Sequence, residues 1–447
     1  MDTVRKDHLS CYGYKKETTP NLNELIEDSR IYYNAYSTSC WTSPAHASLF
    51  TGLHTAAHKT SQEYWVMNDQ LTTLAEVLSS DGYETIGIVE NPMLGKPYNF
   101  NQGFATYYET WNKDLKTLLF SMISEENIAF SFLKRSLRKR DPDKPFFIFI
   151  NFIEAHAPYD SSQQFYNQFL SDNTSFTCNS NRWKDYFLGR IQFSKAELNH
   201  LEELYDAEIR YVDYYIGKII AELKKKNLWE NTLFIVTSDH GENIGDHNLV
   251  DHVFCLYESA INIPLIIHYP QIIKGHLKDY TPVKLTDLFP TLLNRANISA
   301  KNYYFQGRDL FADNAGRDEV IFCEYYYPEQ TLQCFKEEDR KNKNIQKFKR
   351  QMKTIIYDNK KLIWGSDGAH ELYDLAQDPH EKNNLYSQID YYEMGQNMIK
   401  RLESTVHKYS GHLNLSSSPS SNTIIDKKTQ ERLKSLGYVS TFPTNTK

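Results

Sequence analysis

The sequence contains no run of apolar residues that is long enough to span a membrane. Across its 447 residues, no window approaches the roughly 18 apolar residues that a membrane helix needs. The first ten residues, MDTVRKDHLS, are polar and lack the apolar stretch of a signal peptide. We therefore expect no stable membrane anchor, and a cytoplasmic location is the default expectation.

The sequence also has no excess of basic residues and no closely paired cysteines, which argues against nucleic-acid binding and against a cysteine-based zinc or disulfide site. Lys and Arg number 50 against 57 Asp and Glu, which gives a net charge of −7 and no basic surface for a nucleic acid. The six cysteines are scattered and contain no Cys-x-x-Cys pair, so neither a zinc knuckle nor a disulfide framework is expected. With 40% hydrophobic and 24% charged residues, the composition is ordinary for a globular protein.

Short apolar runs alternate with amphipathic segments over the first part of the chain. The runs predict buried strands at Thr85–Val89, Phe146–Phe152, Leu233–Val236 and Pro264–His268. Apolar residues spaced by three and four predict helices at Leu71–Ser79 and Lys195–Lys224. Strands that alternate with helices predict an α/β fold, in which a large, mainly parallel central sheet is flanked by helices.

The chain changes character after about residue 300. Strand-like pieces at Glu319–Phe322, Met352–Tyr357 and Lys361–Trp364 predict a smaller α+β subdomain with an antiparallel sheet. Ser416–Ser421 (SSSPSS) is typical of a flexible linker. We therefore divide the chain into a main domain over residues 1–300, a subdomain over 301–415, and a linker with a C-terminal tail over 416–447.

The segment Thr237–Glu242 (TSDHGE) follows the predicted strand Leu233–Val236. An Asp and a His side by side, at the carboxyl end of a strand and before a glycine turn, place a carboxylate and an imidazole near one cation. From spacing alone, Asp239 and His240 are explained equally well by a metal site and by a capped turn with a surface histidine.

The segment Ser39–Gly52 (SCWTSPAHASLFTG) predicts the start of a helix. Pro44 suits the first helical turn, and a hydroxyl before it, on Thr42 or Ser43, is typical of a helix N-cap. The same hydroxyl beside a cation is also placed to act as a nucleophile. Capping and catalysis therefore both remain open for Thr42.

Six segments in chain order resemble the sulfatase family of the alkaline-phosphatase superfamily. They are DTVRKDHLSCYGY with TTPNLNEL, WTSPAHASLFTG, the stretch from TSDHGENIGDH to LYESAINIPLIIHYP, TDLFPTLLNRANI, ELYDLAQDPHEKNNL and LKSLGYVS. Together they span nearly the whole chain. The resemblance implies the α/β fold of that superfamily, makes residues 1–300 the catalytic domain, and favours the metal interpretation of Asp239 and His240.

The resemblance also implies roles for single residues. The implied ligands of a divalent metal ion (Ca, Mg, Mn or Zn) are Asp2, Asp239, His240 and the oxygen of Thr42. Thr42 lies where the family has its nucleophile. His156 and His252 are implied to bind the ester group, where they stabilise charge or protonate the leaving oxygen.

Thr42 departs from the family pattern in a way that changes the expected chemistry. The family nucleophile is a formylglycine made from Cys or Ser, and Thr cannot yield that aldehyde. A Thr ester has to be hydrolysed by water, which favours phosphorus over sulfur. Cys40 and Ser43 are the alternatives for a modified residue, but neither stands two positions before Pro44.

Two histidines replace fixed cations of the family. His46 stands where an arginine supports the nucleophile, and His252 stands where many members carry a lysine. Because histidine titrates near neutral pH, both make the site pH-sensitive. The extra histidines also allow a second metal ion, with ligands drawn from His156, His247, His252 and either Asp246 or Asp251.

Few residues of the sequence can be assigned to substrate recognition. Asn91, after the Thr85–Val89 strand, either reaches the substrate pocket or forms a turn with Pro92. The segments Trp111–Arg140 and Ser161–Arg190 carry no motif and are expected to hold the substrate-recognising loops.

The start of the chain lacks one expected element. Asp2–Leu9 resembles the end of the first strand of the family's sheet, but only Met1 precedes it. A missing central strand would leave backbone groups and apolar neighbours uncovered. We therefore expect the natural product to begin upstream with an apolar segment, and this leaves export open.

The sequence thus predicts a metal-dependent hydrolase of sulfate or phosphate esters, with Thr42 as nucleophile and a small-molecule or glycan ester as substrate. One alternative is an enzyme that acts on phosphorus only, as a phosphodiesterase or phosphotransferase. The other is a catalytically inactive relative that binds anionic glycans or lipids.

Overall fold

The computed structural model describes residues 1–112, 126–160, 163–171, 180–312, 320–410, 413, 415 and 425–438. Its strands, in chain order, are β1 (Arg30–Tyr36), β2 (Glu84–Val89), β3 (Thr106–Glu109), β4 (Phe146–Asn151), β5 (Phe234–Thr237), β6 (Asn243–Ile244), β7 (Val250–Asp251), β8 (Asn262–His268), β9 (Leu277–Asp279), β10 (Val283–Lys284), β11 (Ile321–Tyr325), β12 (Met352–Tyr357), β13 (Lys360–Gly365) and β14 (Glu371–Asp374).

The α-helices of the described residues range from one turn to about eight turns. They are Pro20–Leu25, Thr42–Thr51, Thr55–His58, Leu74–Ser80, Ile128–Lys139, Gln163–Phe169, Ser180–Phe187, Lys195–Lys225, Glu258–Ile261, Leu288–Arg295, Glu329–Gln333, Lys343–Gln346, Tyr392–Ser410 and Lys427–Ser435. None of the helices in this part of the chain has both the length and the apolar character of a membrane span.

The main domain contains two larger sheets. The first has the order β10-β1-β8-β5, with β9 also paired to β1. It is mixed, because β8 runs antiparallel to β1 and β5, whereas β9 and β10 run parallel to β1. The second sheet, β3-β2-β4, is entirely parallel. The expected single, mainly parallel sheet is therefore replaced by one mixed and one parallel sheet among the described residues.

The predicted strands and helices of the main domain are confirmed. The predicted parallel direction of β8 is wrong, and the sequence pattern does not predict β1. A buried apolar run such as that of β8 has the same composition in either direction, so its pattern does not tell parallel from antiparallel. In β1 (RIYYNAY), tyrosines and Asn34 interrupt the apolar residues. Its partners β8, β9 and β10 follow it by more than 200 residues, so long-range pairing decides its conformation.

The first two residues bridge the two sheets. The Asp2 N–H donates to the carbonyl of Phe152, just after β4 (2.8 Å), and the Met1 ammonium donates to the carbonyl of Thr237 in β5 (2.9 Å). The Asp239 N–H donates in turn to the Met1 carbonyl (3.3 Å). Asp2 is thereby fixed between the carboxyl ends of β4 and β5. An upstream strand stays a prediction.

Strands β11 to β14 form an antiparallel sheet that packs against the Tyr392–Ser410 helix, as predicted for an α+β subdomain. The ammonium of Lys361 in β13 is fully buried and lies 3.0 Å from Glu258 Oε1 and 2.7 Å from Glu381 Oε1. The Glu258 N–H donates to the Glu381 carboxylate (2.6 Å). Glu381 belongs to the family-like segment ELYDLAQDPHEKNNL, which therefore docks the subdomain on the main domain.

The predicted boundaries of the domains stay predictions. The Ser416–Ser421 linker lies outside the described residues. Within the predicted tail, the Lys427–Ser435 helix packs on the main domain, where Leu433 is fully buried.

We expect Lys361→Met to lower the free energy of unfolding by about 3–5 kcal/mol, because it leaves the buried Glu381 carboxylate and the partly buried Glu258 carboxylate without their cation. Urea unfolding followed by circular dichroism measures the loss. The double variant Lys361→Met/Glu381→Gln removes one of those charges and should recover part of it. A loss below about 1 kcal/mol in the single variant would contradict a docking role for the pair.

Candidate active site

The predicted site residues come together at the carboxyl ends of strands from both sheets. Asn91 follows β2, Asn151 ends β4, and Asp239 with His240 follows β5. Asp2 lies between β4 and β5. In α/β proteins ligand sites form at this end of the strands, because the loops that leave it enclose a crevice.

Asp2, Asp239 and His240 form a buried group whose potential ligand atoms lie within 4.8 Å of one another. Asp2 Oδ2 accepts hydrogen bonds from the side-chain amides of Asn91 (2.8 Å) and Asn151 (3.1 Å). Asp2 Oδ1 and Asp239 Oδ2 are buried and accept no hydrogen bond from any described residue. Buried carboxylate oxygens without a partner are costly unless a cation neutralises them. The donor set therefore fits a divalent metal ion.

His240 presents a free nitrogen to this group. Its Nδ1 lies 2.9 Å from the carbonyl of Gly241 and donates to it, which leaves the lone pair on Nε2, 3.4 Å from Asp239 Oδ2. Burial, and then the charge of His252, lowers the pKa of His240 to about 3. The ring is therefore neutral, as a metal ligand has to be. Only glycine fits at position 241, because a Cβ there would lie 2.0 Å from the carbonyl oxygen of Ser259.

Thr42 is the first residue of the Thr42–Thr51 helix, and its side chain does not cap that helix. The N-cap is Trp41, and Ser43 Oγ makes no hydrogen bond with the described residues. Thr42 Oγ1 instead lies 3.4 Å from His240 Nε2 and accepts from Asn91 Nδ2 at 3.4 Å. The capping interpretation is wrong, and the hydroxyl stands at a helix N-terminus, where the helix dipole favours negative charge.

His46 contacts the backbone of Thr42 and not its hydroxyl. Its Nδ1 donates to the Thr42 carbonyl (2.8 Å) and lies 3.5 Å from Asp239 Oδ2. The ring packs edge-on against Phe50 and Phe149. The histidine in the arginine position thus holds the first helical turn beside the proposed metal ligand.

The turn predicted for Asn91 is confirmed, and its contact with substrate stays a prediction. Its Oδ1 accepts from the N–H of Met93 and caps the Pro92–Leu94 turn (2.9 Å). Its Nδ2 faces the site, where it donates to Asp2 Oδ2 and lies near Thr42 Oγ1. The turn therefore orients the amide.

His252 is buried between two carboxylates. Its Nδ1 lies 2.9 Å from Asp251 Oδ1 and 3.6 Å from Glu242 Oε2. Burial opposes its positive charge, but Asp251 and then Glu242 outweigh burial and raise the pKa of His252 well above its ordinary value. The ring is therefore a cation at neutral pH, as a lysine there would be. Asp251 and Phe254 flank it with φ of 69° and 67°, a strained backbone for residues other than glycine.

His156 is neutral, in contrast to the cationic His252. Its Nδ1 donates to the carbonyl of Ala157 (2.6 Å), so Nε2 carries the lone pair. Burial, and then the charge of His252, lowers the pKa of His156 to about 4. The two ring centroids are 5.0 Å apart, which places a neutral and a cationic imidazole side by side. Such a difference in environment is typical of an acid and base pair.

A second group of potential ligand atoms consists of Glu242, Asp251 and His252. Two of the residues predicted for a second metal ion face elsewhere: the His247 ring stacks on Tyr257 at 3.6 Å, and Asp246 pairs with Arg5 at 2.6 Å. A second metal ion held by Glu242, Asp251 and His252 therefore stays a prediction.

Tyr438 completes the site, although the sequence analysis assigns it no role. The side chain is buried, and its hydroxyl lies 2.9 Å from His156 Nε2, 2.9 Å from Asn91 Nδ2 and 3.4 Å from Thr42 Oγ1. The only signal for it in the sequence is the family-like segment LKSLGYVS, which lies 396 residues from Thr42.

A cavity of about 280 Å³ leads to these residues. Besides His156, His252 and Tyr438, its lining includes the aromatic residues Trp41, Trp183, Phe187, Phe254 and Phe335 and the cations Lys184 and Lys434. Three of these come from the segment Ser161–Arg190 that was expected to recognise substrate. The segment Trp111–Arg140 contributes none to the described lining, and its residues 113–125 lie outside the described residues.

Comparison with known proteins identifies the relatives of this chain. The family profile "Sulfatase" matches residues 1–298, and the profile "N-sulphoglucosamine sulphohydrolase, C-terminal" matches residues 245–408. The arylsulfatase of Clostridium perfringens is 26% identical over 92% of this chain and 94% of its own length. The N-acetylglucosamine-6-O-sulfatase of Bacteroides thetaiotaomicron is 22% identical over 90% of this chain and 84% of its own length.

Solved structures share the fold. The phosphonate monoester hydrolase of Agrobacterium radiobacter superposes with a TM-score of 0.74 at 20% identity, over 91% of this chain and 94% of that chain. The phosphonate monoester hydrolase of Silicibacter pomeroyi gives a TM-score of 0.69 at 18% identity, over 92% and 94%. These similarities confirm the predicted α/β fold with its C-terminal subdomain.

Proposed function

The chain belongs to the sulfatase family, and we propose that it cleaves its ester through attack by the Thr42 hydroxyl beside a divalent metal ion. Family membership makes it a hydrolase of sulfate or phosphate esters. The identity of the nucleophile, the need for a metal ion and the preference for phosphorus esters are proposed in addition.

One observation carries the assignment of the nucleophile. Thr42 Oγ1 lies 3.4 Å from the free nitrogen of His240, within the group that has two unpaired buried carboxylate oxygens. Asp2, Asp239 and His240 would hold the metal ion. When bound, the ion supplies positive charge beside Thr42 Oγ1 and the ester oxygens.

The two histidines divide the proton transfers between them. In the first step Thr42 Oγ1 bonds to sulfur or phosphorus and the bond to the leaving oxygen breaks. His156 Nε2 takes the Thr42 proton, and cationic His252 protonates the leaving oxygen. In the second step water attacks the Thr42 ester, His252 takes the water proton, and His156 returns its proton to Thr42 Oγ1. The anion leaves, and both histidines regain their first states.

The substrate is an ester of a small molecule or a glycan, and phosphorus esters are favoured. Formylglycine releases sulfate by elimination, whereas a Thr ester needs attack by water. The relatives include arylsulfatases and a glucosamine sulfatase, and proteins of this fold include phosphonate monoester hydrolases. The aromatic and cationic lining of the 280 Å³ cavity suits a leaving group of the size of an aryl or sugar ring.

A side-by-side assay tests the proposal. An aryl sulfate, an aryl phosphate diester and an aryl phosphonate monoester are supplied with and without added Zn²⁺, Mn²⁺ or Ca²⁺. We expect turnover that depends on the added ion, with the phosphorus esters faster than the sulfate. Faster turnover of the sulfate ester would reverse the preference, and turnover without any ion would contradict the metal.

The charge of His252 predicts the pH dependence of the reaction. Because its pKa is raised, His252 stays protonated through neutral pH and loses its proton only as the pH rises through that higher pKa. We expect kcat/KM to fall on the alkaline side for this reason. His252→Gln should lower kcat/KM by about 10²-fold, and His252→Lys should move the alkaline fall to higher pH.

Asp251→Asn provides the matched control for this pH dependence. It removes the carboxylate that lies 2.9 Å from His252 Nδ1, so the pKa of His252 should drop and the alkaline fall should begin at lower pH. Profiles of kcat/KM against pH for the wild type, His252→Lys and Asp251→Asn measure the shift. If the alkaline fall in kcat/KM began at the same pH in His252→Lys and Asp251→Asn as in the wild type, another group would be responsible for it.

A further inference from the structure

The hydroxyl of Tyr438 lies where an ester oxygen has to bind. Three atoms surround it: Asn91 Nδ2 at 2.9 Å, His156 Nε2 at 2.9 Å and Thr42 Oγ1 at 3.4 Å. The reacting sulfur or phosphorus has to come within about 3–3.5 Å of Thr42 Oγ1 for attack. Its oxygens would then fall on the volume that the hydroxyl fills.

The hydrogen bonds of Tyr438 match those that a substrate oxygen would make. Asn91 Nδ2 can only donate, so the hydroxyl accepts from it; His156 Nε2 carries the lone pair, so the hydroxyl donates to it. The bonds that would hold the ester group are therefore already taken. An ester oxygen that used these two partners would require the Tyr438 hydroxyl to withdraw.

Tyr438 lies three residues after the Lys427–Ser435 helix, in a segment that packs on the main domain. The Lys427–Ser435 helix is fixed by a hydrogen bond from Trp111 Nε1 to Thr429 Oγ1 (3.0 Å) and by the buried side chain of Leu433. After the helix, the Cys334 thiol donates to the carbonyl of Tyr438 (3.4 Å). The Tyr438 ring packs beside Trp41, at the wall of the cavity.

From this geometry we propose that residues 425–438 form an autoinhibitory plug, in which Tyr438 holds the place of the ester group and has to withdraw before substrate binds. The inference rests on the proposed function, because the plug fills the same site. The closed state lowers the apparent affinity for substrate by the fraction of molecules that are open. A change that weakens the plug therefore strengthens anion binding without adding any contact to the anion.

Anion binding to full-length variants tests the plug. Inorganic phosphate and inorganic sulfate are titrated calorimetrically into wild type, Tyr438→Phe and Thr429→Val, each with the divalent ion that supports activity. We expect both variants to bind the anion about tenfold more tightly, since each lacks hydrogen bonds of the closed state. Tyr438→Phe loses the bonds of its hydroxyl to Asn91 and His156, and Thr429→Val loses the bonds of Thr429 Oγ1 to Trp111 and Asp426. Tyr280→Phe, an exposed tyrosine outside the site, is the control and should bind as wild type does.

Hydrogen exchange on the wild type gives an independent measurement. Saturation with the anion should reduce the protection of amides in residues 425–438, because the segment leaves the site. Unchanged or increased protection would overturn the plug, and so would unchanged or weaker binding by Tyr438→Phe. Weaker binding would instead make the hydroxyl a ligand of the anion. Failure of every variant to bind either anion would contradict the proposed function itself and the plug with it.

Discussion

Thr42→Ala is expected to lower kcat/KM by at least about 10³-fold towards every ester that the wild type cleaves. The substitution removes the oxygen that faces His240 Nε2 and leaves the first helical turn in place, because the contact from His46 is to the Thr42 carbonyl. The far-ultraviolet spectrum should therefore stay close to that of the wild type, and Asp2, Asp239 and His240 are retained as ligands for the metal ion. Steady-state rates across the three ester classes measure the loss.

Two neighbouring substitutions make this result specific. Thr42→Ser keeps the hydroxyl and loses only a methyl group, so we expect kcat/KM to fall by no more than about tenfold. Mass spectrometry of the intact variant checks that the serine is unmodified. Ser43→Ala removes a buried hydroxyl of the same turn that makes no hydrogen bond with the described residues, and should leave the rate unchanged. Equal rates for Thr42→Ala and the wild type would exclude Thr42 as the nucleophile.

A covalent intermediate offers a second readout for the same residue. If the Thr42 ester is hydrolysed by water, acid quenching during turnover should trap the transferred group on the peptide that contains Thr42. Peptide mass mapping would locate it. Transfer of the group to Cys40 or Ser43 would show that a neighbour is the nucleophile.

Local signals predict where several site residues lie, and the family resemblance supplies their roles. Asp239 and His240 are adjacent in the chain and follow an apolar strand, so their position at the carboxyl end of β5 follows from a short stretch of sequence. Thr42 is placed by a helix start two residues before Pro44. These features are decided by local backbone preferences, and the structure keeps them.

The parts that could not be predicted depend on contacts between distant segments. Tyr438 reaches Thr42 across 396 residues, and no local pattern marks a tyrosine that enters another domain's site. The direction of β8 is set by its partners β1 and β5. The surroundings of His252 are only partly visible in the sequence: Asp251 directly precedes it, whereas Glu242 comes close to it only through the fold.

The environment of His252 is consistent with the prediction that this histidine takes the place of a family lysine. A lysine carries its charge without help at neutral pH, whereas a histidine needs acidic neighbours to stay protonated. Asp251 and Glu242 provide them, and burial keeps the pKa of Glu242 itself at about 7 despite the nearby cation. The substitution thus keeps the charge but makes it titratable.

Removal of the metal ion is expected to have an effect as large as the loss of the nucleophile. We expect chelation to lower kcat/KM by at least about 10³-fold, because the charge that stabilises the attacking and ester oxygens is lost. Re-addition of the ion should restore the rate. Asp239→Asn should be equally slow at any ion concentration, and Asp69→Asn, an exposed site, should be unaffected.

The unpaired carboxylate oxygens make the stability of Asp239→Asn more informative than its rate. Without the ion, Asp2 Oδ1 and Asp239 Oδ2 are buried in the same group and accept no hydrogen bond from the described residues, so Asp239→Asn removes one uncompensated buried charge and should not lower the free energy of unfolding. With the ion at 100 times its Kd, the wild type should gain about 2.7 kcal/mol and the variant much less. Urea unfolding with and without the ion measures both quantities. An equal gain in the two proteins would place the ion elsewhere, whereas a gain confined to the wild type would assign it to Asp239 independently of any substrate.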